Sequence, residues 1–227
     1  MKKLFLFTIL LVAAFSSLNA QTIFTSYSFN VEPKDESKVL ELYKNYFGNK
    51  ANLIKGVTVS LYENHFKAKD IATHEVIFTG TPEAMGAGYD GKSTDAWKLF
   101  QSELSKYCVG VRSAEGKRFS GFGDTSSVIY PIQDVYFVNV KNQDEYKAKF
   151  DAYWSKNITV NTRISLGSVN TISENGTTHY VVRSYKDFTT KFKDADQNVK
   201  AYNEYLSSLK DIRTFITSQT RVLLGKW

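Results

Sequence analysis

The stretch GVTVSLYENHFKAKDIATHEVIF, Gly56–Phe78, has a counterpart 105 residues further on: NTRISLGSVNTISENGTTHYVVR, Asn161–Arg183. Ser60-Leu61 matches Ser165-Leu166, Thr73-His74 matches Thr178-His179, and Val76 matches Val181, all at that one offset. So few identities do not make a repeat on their own, and the flanks decide. Upstream, SYSFNV (Ser26–Val31) resembles VYFVNV (Val135–Val140) at an offset of 109, and each is followed by an acidic, helix-like run. Downstream, WKLFQSEL (Trp97–Leu104) resembles VKAYNEYL (Val199–Leu206) at an offset of 102, and FSGFG, ending at Gly123, parallels VLLGK around Gly225 at the same offset. The order is kept and the offsets drift slowly. A tandem duplication is the simplest account.

Each half reads as the same succession of elements. In the first, Thr22–Val31 alternates as a strand. Val39, Leu42, Tyr43, Tyr46 and Phe47 fall at helical spacing within Glu36–Phe47. Val57–Tyr62 and His74–Thr79 are strands, Asp95–Tyr107 is a helix that Ser93 or Thr94 can cap, and Lys117–Phe122 is the last strand. The second half gives Val135–Val140, Asp144–Trp154, Arg163–Val169, His179–Tyr185, Asn198–Leu209 and Thr220–Leu224. The order β-α-β-β-α-β, twice, is that of the split βαβ, ferredoxin-like unit. The expected fold class is α+β, with halves at 21–125 and 126–227.

Two such units in one chain resemble the dimeric α+β barrel superfamily, over nearly all of Thr22–Trp227. The resemblance rests on element order and duplication, not on a signature motif. It implies two ferredoxin-like sheets packed face to face, with helices outside. Members include cofactor-independent monooxygenases, small isomerases, haem proteins of the chlorite dismutase type and stress-responsive proteins. The superfamily sets a shape, and function must come from the site.

The N-terminus reads as a secretory signal peptide over residues 1–20. Lys2 and Lys3 form a basic start, Leu4–Phe15 is apolar but short for a membrane span, and small residues lead to Ala20. An exported bacterial protein, periplasmic or extracellular, is the expectation, with no stable membrane insertion after cleavage. Removing residues 1–20 takes two of the 29 basic residues, leaving 27 against 23 acidic, a net charge of +4. The charges are interspersed, and no basic block points to nucleic acid. Cys108 is the only cysteine, so no intrachain disulfide forms and the fold must rest on its core.

GAGYDGKST, Gly86–Thr94, matches the P-loop pattern G-x-x-x-x-G-K-S. Its context does not. The preceding strand ends near Thr79, and six residues, Gly80–Met85, intervene before Gly86. Asp134 precedes the apolar run VYFVNV where a magnesium-binding acid would follow it. Nucleotide binding is not expected. Four glycines within Gly80–Gly91 suggest a flexible loop, an ordinary connection or a flap over a pocket.

His74 and His179 match between the halves, and each sits on a strand. Haem members of the resembled superfamily carry their histidine on a helix, and no histidine here falls in a helix-like run, so neither haem nor another cofactor is expected. A metal site would need more ligands nearby. Arg112 and Arg213 also match, each following a second helix, either capping its C-terminus or presenting paired cations to an anion. Asn157 and Asn175 head incidental glycosylation patterns. Tyr27, Tyr136 and Trp97 are the aromatics chosen, with these four, as candidates to line a pocket for a small apolar or aromatic ligand. The expected function is a non-catalytic binding or stress-type protein. The alternatives are a cofactor-independent monooxygenase or isomerase on a small hydrophobic substrate, with a His or Tyr moving protons, and a structural or surface-interaction protein. A polar group inside a closed cavity would separate the enzyme from the rest.

Overall fold

The computed structural model describes residues 22–91, 93–124, 128–171, 176–194 and 199–227. The expected signal peptide, Lys92 of the P-loop-like pattern, Asn175 and the centre of the junction between halves lie outside the described residues. The strands are β1 (Thr22–Val31), β2 (Val57–Phe66), β3 (His74–Gly80), β4 (Cys108–Gly123), β5 (Ile132–Val140), β6 (Thr162–Thr171), β7 (His179–Tyr185) and β8 (Arg213–Lys226). The helices are α1 (Glu36–Gly48), α2 (Pro82–Asp90), α3 (Asp95–Leu104), α4 (Gln143–Asn157), α5 (Phe188–Asp194) and α6 (Val199–Leu209). All eight strands close one antiparallel barrel in the order β1-β3-β2-β8-β5-β7-β6-β4, with β4 pairing back to β1. Within the first half the order is β4-β1-β3-β2, and within the second β8-β5-β7-β6. The seams are β2–β8 and β4–β6, so each joins one half to the other.

Alternation sorts the side chains. Residues directly opposite on paired strands share a face. The outward face of the first half carries Phe29, Val31, Val59, Leu61 and Val76, and α1 and α3 cover it with Val39, Tyr43, Phe47 and Phe100. The three α1 residues are spaced four apart, one turn each, which is why this segment is a helix with one greasy stripe. The second half repeats this with Val138, Leu166 and Val181 under Tyr146, Phe150 and Trp154 of α4 and Tyr205 and Leu209 of α6. Phe150 and Tyr146 are wholly buried. The hydrophobic cores are therefore two, both outside the barrel.

The nearly continuous apolar run VYFVNV suggests a greasy interior. It is mixed instead: Ser26, Ser60, Thr58, Glu75, Gln133, Ser184 and Arg221 line it beside Phe24, Ile77, Val135 and Val182. Every second residue of β5 does turn inward, but its neighbours on β8, Thr217, Gln219 and Arg221, are polar.

Three further differences have local causes. Gly80–Gly91 is not a loop. Thr81 caps α2, its side chain accepting from the Ala84 amide, and Pro82 supplies a preset first turn. The last strands are longer than read, β4 by nine residues at its start (Cys108 for Lys117) and β8 by seven (Arg213 for Thr220). Finally, Arg112 and Arg213 are not equivalent. Ser28 faces Arg112, and its counterpart Phe137 faces Thr217, so Arg112 is level with Thr217, 105 residues on. Arg213 faces Val140 as Cys108 faces Val31. The offset of 102 slipped the last helix and strand by three residues, close to one helical turn. Neither arginine caps a helix. Thr94 does cap α3 as expected, accepting from the Trp97 amide.

Candidate functional site

A cavity of about 1200 Å³ occupies the barrel and opens to solvent, its lining reaching Gln143 and Lys147 of α4. Eight-stranded barrels are just wide enough to be filled by side chains or to hold one small ligand. Here several inward residues are small, such as Ser26, Ser60, Ala114 and Ser165, which leaves room.

The deepest polar cluster forms where β8 meets β2 and β5. Arg221 of β8 is 6% exposed and Glu75 of β3 is 5% exposed. Arg221 Nη1 donates to Glu75 Oε2 at 2.5 Å, and Nε donates to Gln133 Oε1 at 2.9 Å. The guanidinium also lies 4.3 Å from the centroid of Tyr62. Burying two charges costs several kcal/mol per ion unless they are paired and hydrogen-bonded, which this arrangement supplies. Gln219, opposite Val135, faces the same interior; its Oε1 is buried and accepts no hydrogen bond from the protein. A buried acceptor left open is uncommon in a finished core.

On the far wall Tyr180 of β7 lies over its ladder partner Gly167 and packs edge-on against Phe24, 5.1 Å between centroids. Burial pushes its phenol well above the usual range, while Arg118 and Arg221 pull it down. Arg118 of β4 reaches the Thr22 hydroxyl at 3.4 Å. Arg112 reaches across the interior to Phe137, 5.4 Å from its centroid.

Of the seven residues read as candidates, Arg112 alone lines this cavity. His74 and His179 point outward, beneath the helices. His74 is 1% exposed, stacks on Phe29 at 5.9 Å, and has Nδ1 3.0 Å from Thr73 Oγ1. His179 repeats the last contact with Thr178 at 2.9 Å and adds Gln143 Oε1 to Nε2 at 3.2 Å. Burial pushes the His179 imidazole down to about 4, and burial lowers His74 in the same direction. Arg213 stays outside and donates to the Tyr146 hydroxyl at 3.2 Å. Tyr27 is on the outer face, where its hydroxyl meets Tyr89 of α2 at 2.7 Å; Tyr89 in turn donates to Thr25 at 2.9 Å. Trp97 packs on Tyr46 and Phe100 under α3, and Tyr136 packs against the second core. These seven do not converge.

The residues also do not fit a haem. Neither buried histidine is on a helix, both nitrogens of His179 already have partners, and Tyr146 and Phe150 fill the space between its sheet and helices. Among the described residues no group of three or more His, Cys, Asp or Glu could hold a metal ion. Cys108 is half-buried, donates to the Leu104 carbonyl at 3.1 Å, and has its thiol pushed up to about 11 by burial, which leaves it unreactive at neutral pH.

Sequence reasoning missed Glu75 and Arg221. The alternation HEVIF was the available signal: with His74, Val76 and Phe78 on one face, Glu75 had to lie on the other. The partner, 146 residues away, left no local trace.

No family model matches the chain, and no curated protein does. Solved structures do. One from Fusobacterium nucleatum, described as a candidate monooxygenase, superposes with a TM-score of 0.61 at 16% identity, covering 92% of this chain and 95% of that one. An anthrone oxidase-like protein gives 0.61 at 9%, covering 92% and 94%. A chlorite dismutase variant from Candidatus Nitrospira defluvii gives 0.53 at 10%, covering 89% and 92%. At these identities the likeness shows the ferredoxin-like α+β barrel fold. The expectation of a non-catalytic binding or stress-type protein is corrected at this point. The three structures are described as a candidate monooxygenase, an oxidase-like protein and a chlorite dismutase, and Glu75 and Arg221 place polar groups in the cavity wall.

Proposed function

We propose that this chain is a cofactor-independent enzyme, of monooxygenase or isomerase type, acting on a small, largely apolar molecule inside the barrel. The observation that carries the reading is the buried Glu75–Arg221 pair in the wall of a roomy closed barrel. A pair placed there gives the fold little that a Leu or Val would not give. A carboxylate beside an enclosed substrate, however, can take a proton from an acidic carbon or hydroxyl. Arg221 fixes its orientation and stabilises the negative charge that develops on the substrate. In the monooxygenase case the carbanion transfers electrons to dioxygen directly: one oxygen atom enters the substrate as a carbonyl, the other leaves as water, and an activated methylene supplies all four electrons. In the isomerase case the proton returns to another carbon. The described histidines take no part, being outside the barrel.

The test is to incubate the protein with anthrones and other ketones that carry an acidic methylene, following oxygen uptake with an electrode and carbon-bound hydrogen exchange in D₂O. Wild type should catalyse one or both, and Glu75→Gln should lose about 10²–10⁴-fold, the span usual for a general base. Uptake and exchange that persist unchanged in Glu75→Gln would sink the reading.

Two subsidiary readings go with it. The halves are taken to descend from a tandem duplication. Besides the sequence matches, the β1–β4 ladder shifts register after Ser28 and the β5–β8 ladder after Phe137, 109 residues on. Residues 1–20 are taken to be removed on export, which N-terminal sequencing of the protein recovered from its bacterium would check.

A further inference from the structure

Of the seven lysines and arginines along the cavity, Lys147 on α4 is paired with Asp151 and Lys117, opposite Ile23, lies on the outward face, which leaves Arg112, Arg118, Arg163, Arg221 and Lys226 against two carboxylates. Glu75 is engaged by Arg221, and Asp124 accepts from the Tyr130 hydroxyl at 2.7 Å. Arg112, Arg118 and Lys226 therefore face the same space without either carboxylate bonded to them. Their direction is set by register. Arg118 is opposite Thr22 on one side and Gly167 on the other, and Lys226 is opposite Ser60; Thr22 and Ser60 line the cavity, and Gly167 is the partner of the inward Tyr180. A low-dielectric cleft lined with one sign of charge concentrates the opposite sign. Guanidinium groups and hydroxyls are donors that suit oxyanions, and Phe24, Val135, Phe137 and Val182 supply apolar wall for the remainder of a ligand.

We infer that the molecule taken into the barrel is an organic anion, an apolar body bearing a carboxylate or a phosphate, with its anionic oxygens held by Arg118 and Arg221 beside the Tyr180 hydroxyl. Arg118, Arg221 and Tyr180, on β4, β8 and β7, all line this cavity, and Arg118 is opposite Gly167, the ladder partner of Tyr180. The inference rests on the reading of the barrel as the active cavity. It narrows the substrate: neutral anthrones and ketones would bind more weakly than their acidic relatives.

The experiment is calorimetric titration of the whole protein at pH 7 with 2-naphthoate, 2-naphthyl phosphate and neutral 2-naphthol, at low and at high salt. Either anion should bind at least about tenfold more tightly than the naphthol, the scale of one charge-assisted hydrogen bond. The two anions separate the carboxylate source from the phosphate source. Added salt should shrink the preference, and so should Arg118→Gln, an exposed position whose change leaves melting unaltered. Arg112→Gln is the second variant. Equal or tighter binding of the naphthol overturns the inference, and so does a preference kept in full by both variants. Turnover plays no part in this readout. Anion preference in a protein with no Glu75-dependent turnover upholds this inference and removes the enzyme reading. Turnover of neutral substrates with no anion preference removes this inference alone.

Discussion

His179 stays neutral in the fold because its ring is buried beside Tyr146 and Phe119, and that has a consequence for pH. Its folded pKa, about 4, lies below the ordinary 6.5. Between those values the unfolded chain takes up a proton that the folded chain refuses. Stability is therefore flat above pH 6.5 and falls as the pH drops towards 4. The loss from this one group is about 1–2 kcal/mol once solvent screening is allowed for. His74 adds to the fall in the same direction. Urea midpoints at pH 7 and pH 5 should differ less for His179→Gln than for wild type; identical slopes would show that another group takes the proton. Gly167 makes a steric prediction. A Cβ there would run into the Lys117 carbonyl and the Tyr180 hydroxyl. The carbonyl belongs to the paired strand and cannot yield, so Gly167→Ala should cost about 2–3 kcal/mol in urea unfolding, while Gly110→Ala, where nothing lies within 4 Å, should cost far less. At this scale the sequence revealed that His74 and His179 are matched. It could not reveal what they touch. Matched positions in a repeat share an environment, and a buried imidazole satisfied by its neighbouring threonine is such an environment.

Helix α5 is short, and its attachment to the barrel is polar. Lys191 Nζ donates to both oxygens of Asp134, at 2.6 and 2.5 Å, and Arg183 donates to Asp194 at 2.6 Å. Thr220 and Tyr185 complete the bonding of Asp134. Lys191→Ala leaves a buried carboxylate without its cation and should cost about 3–5 kcal/mol. The double variant Lys191→Met, Asp134→Leu should recover most of that, since it removes both charges together. A double-mutant cycle by thermal melting decides the matter, and additive losses would mean that the pair is not coupled. The matching helix α2 is held differently, by the Tyr27–Tyr89–Thr25 hydroxyl chain, and it was the element least legible in the sequence. Its glycines argue for a loop, yet a threonine cap and a first-turn proline start a helix all the same, and Gly88 lies close under Ile54, where a side chain would collide. The extra lengths of β4 and β8 were hidden for another reason. CVGVRSAEGKR has Arg112, Ala114 and Arg118 towards a polar cavity, Glu115 in solvent and a register shift that leaves Val111 unpaired and exposed, so no hydrophobic period marks it. Of the strands under the helices, the readings of β3 and β7 agree to within a residue, while β2 runs four residues further, to Phe66, and β5 starts three earlier, at Ile132.

At the scale of the molecule, the question is whether either half is a folding unit. Each half has its own helix-covered core, which would argue for independence. The barrel argues against it. Cutting between 125 and 126 strips the β2–β8 and β4–β6 ladders and leaves each half with two open strand edges, a form prone to pairing with other chains. It also divides the buried ion pair, since Glu75 belongs to the first half and Arg221 to the second. The inner sheet face then meets water, with Phe24 and Ile77 exposed on one fragment and Val135, Phe137 and Val182 on the other. Fragments 21–125 and 126–227, expressed separately, should therefore be aggregating or molten, without a sharp thermal transition. Mixed at equal concentration, they should recover a cooperative transition and a mass equal to the intact chain. Arg221→Met in the second fragment should weaken that association by at least about tenfold, because Glu75 would be buried without its partner. Two soluble, monomeric fragments that each melt cooperatively would mean that the cores suffice and that the barrel is assembled from finished domains.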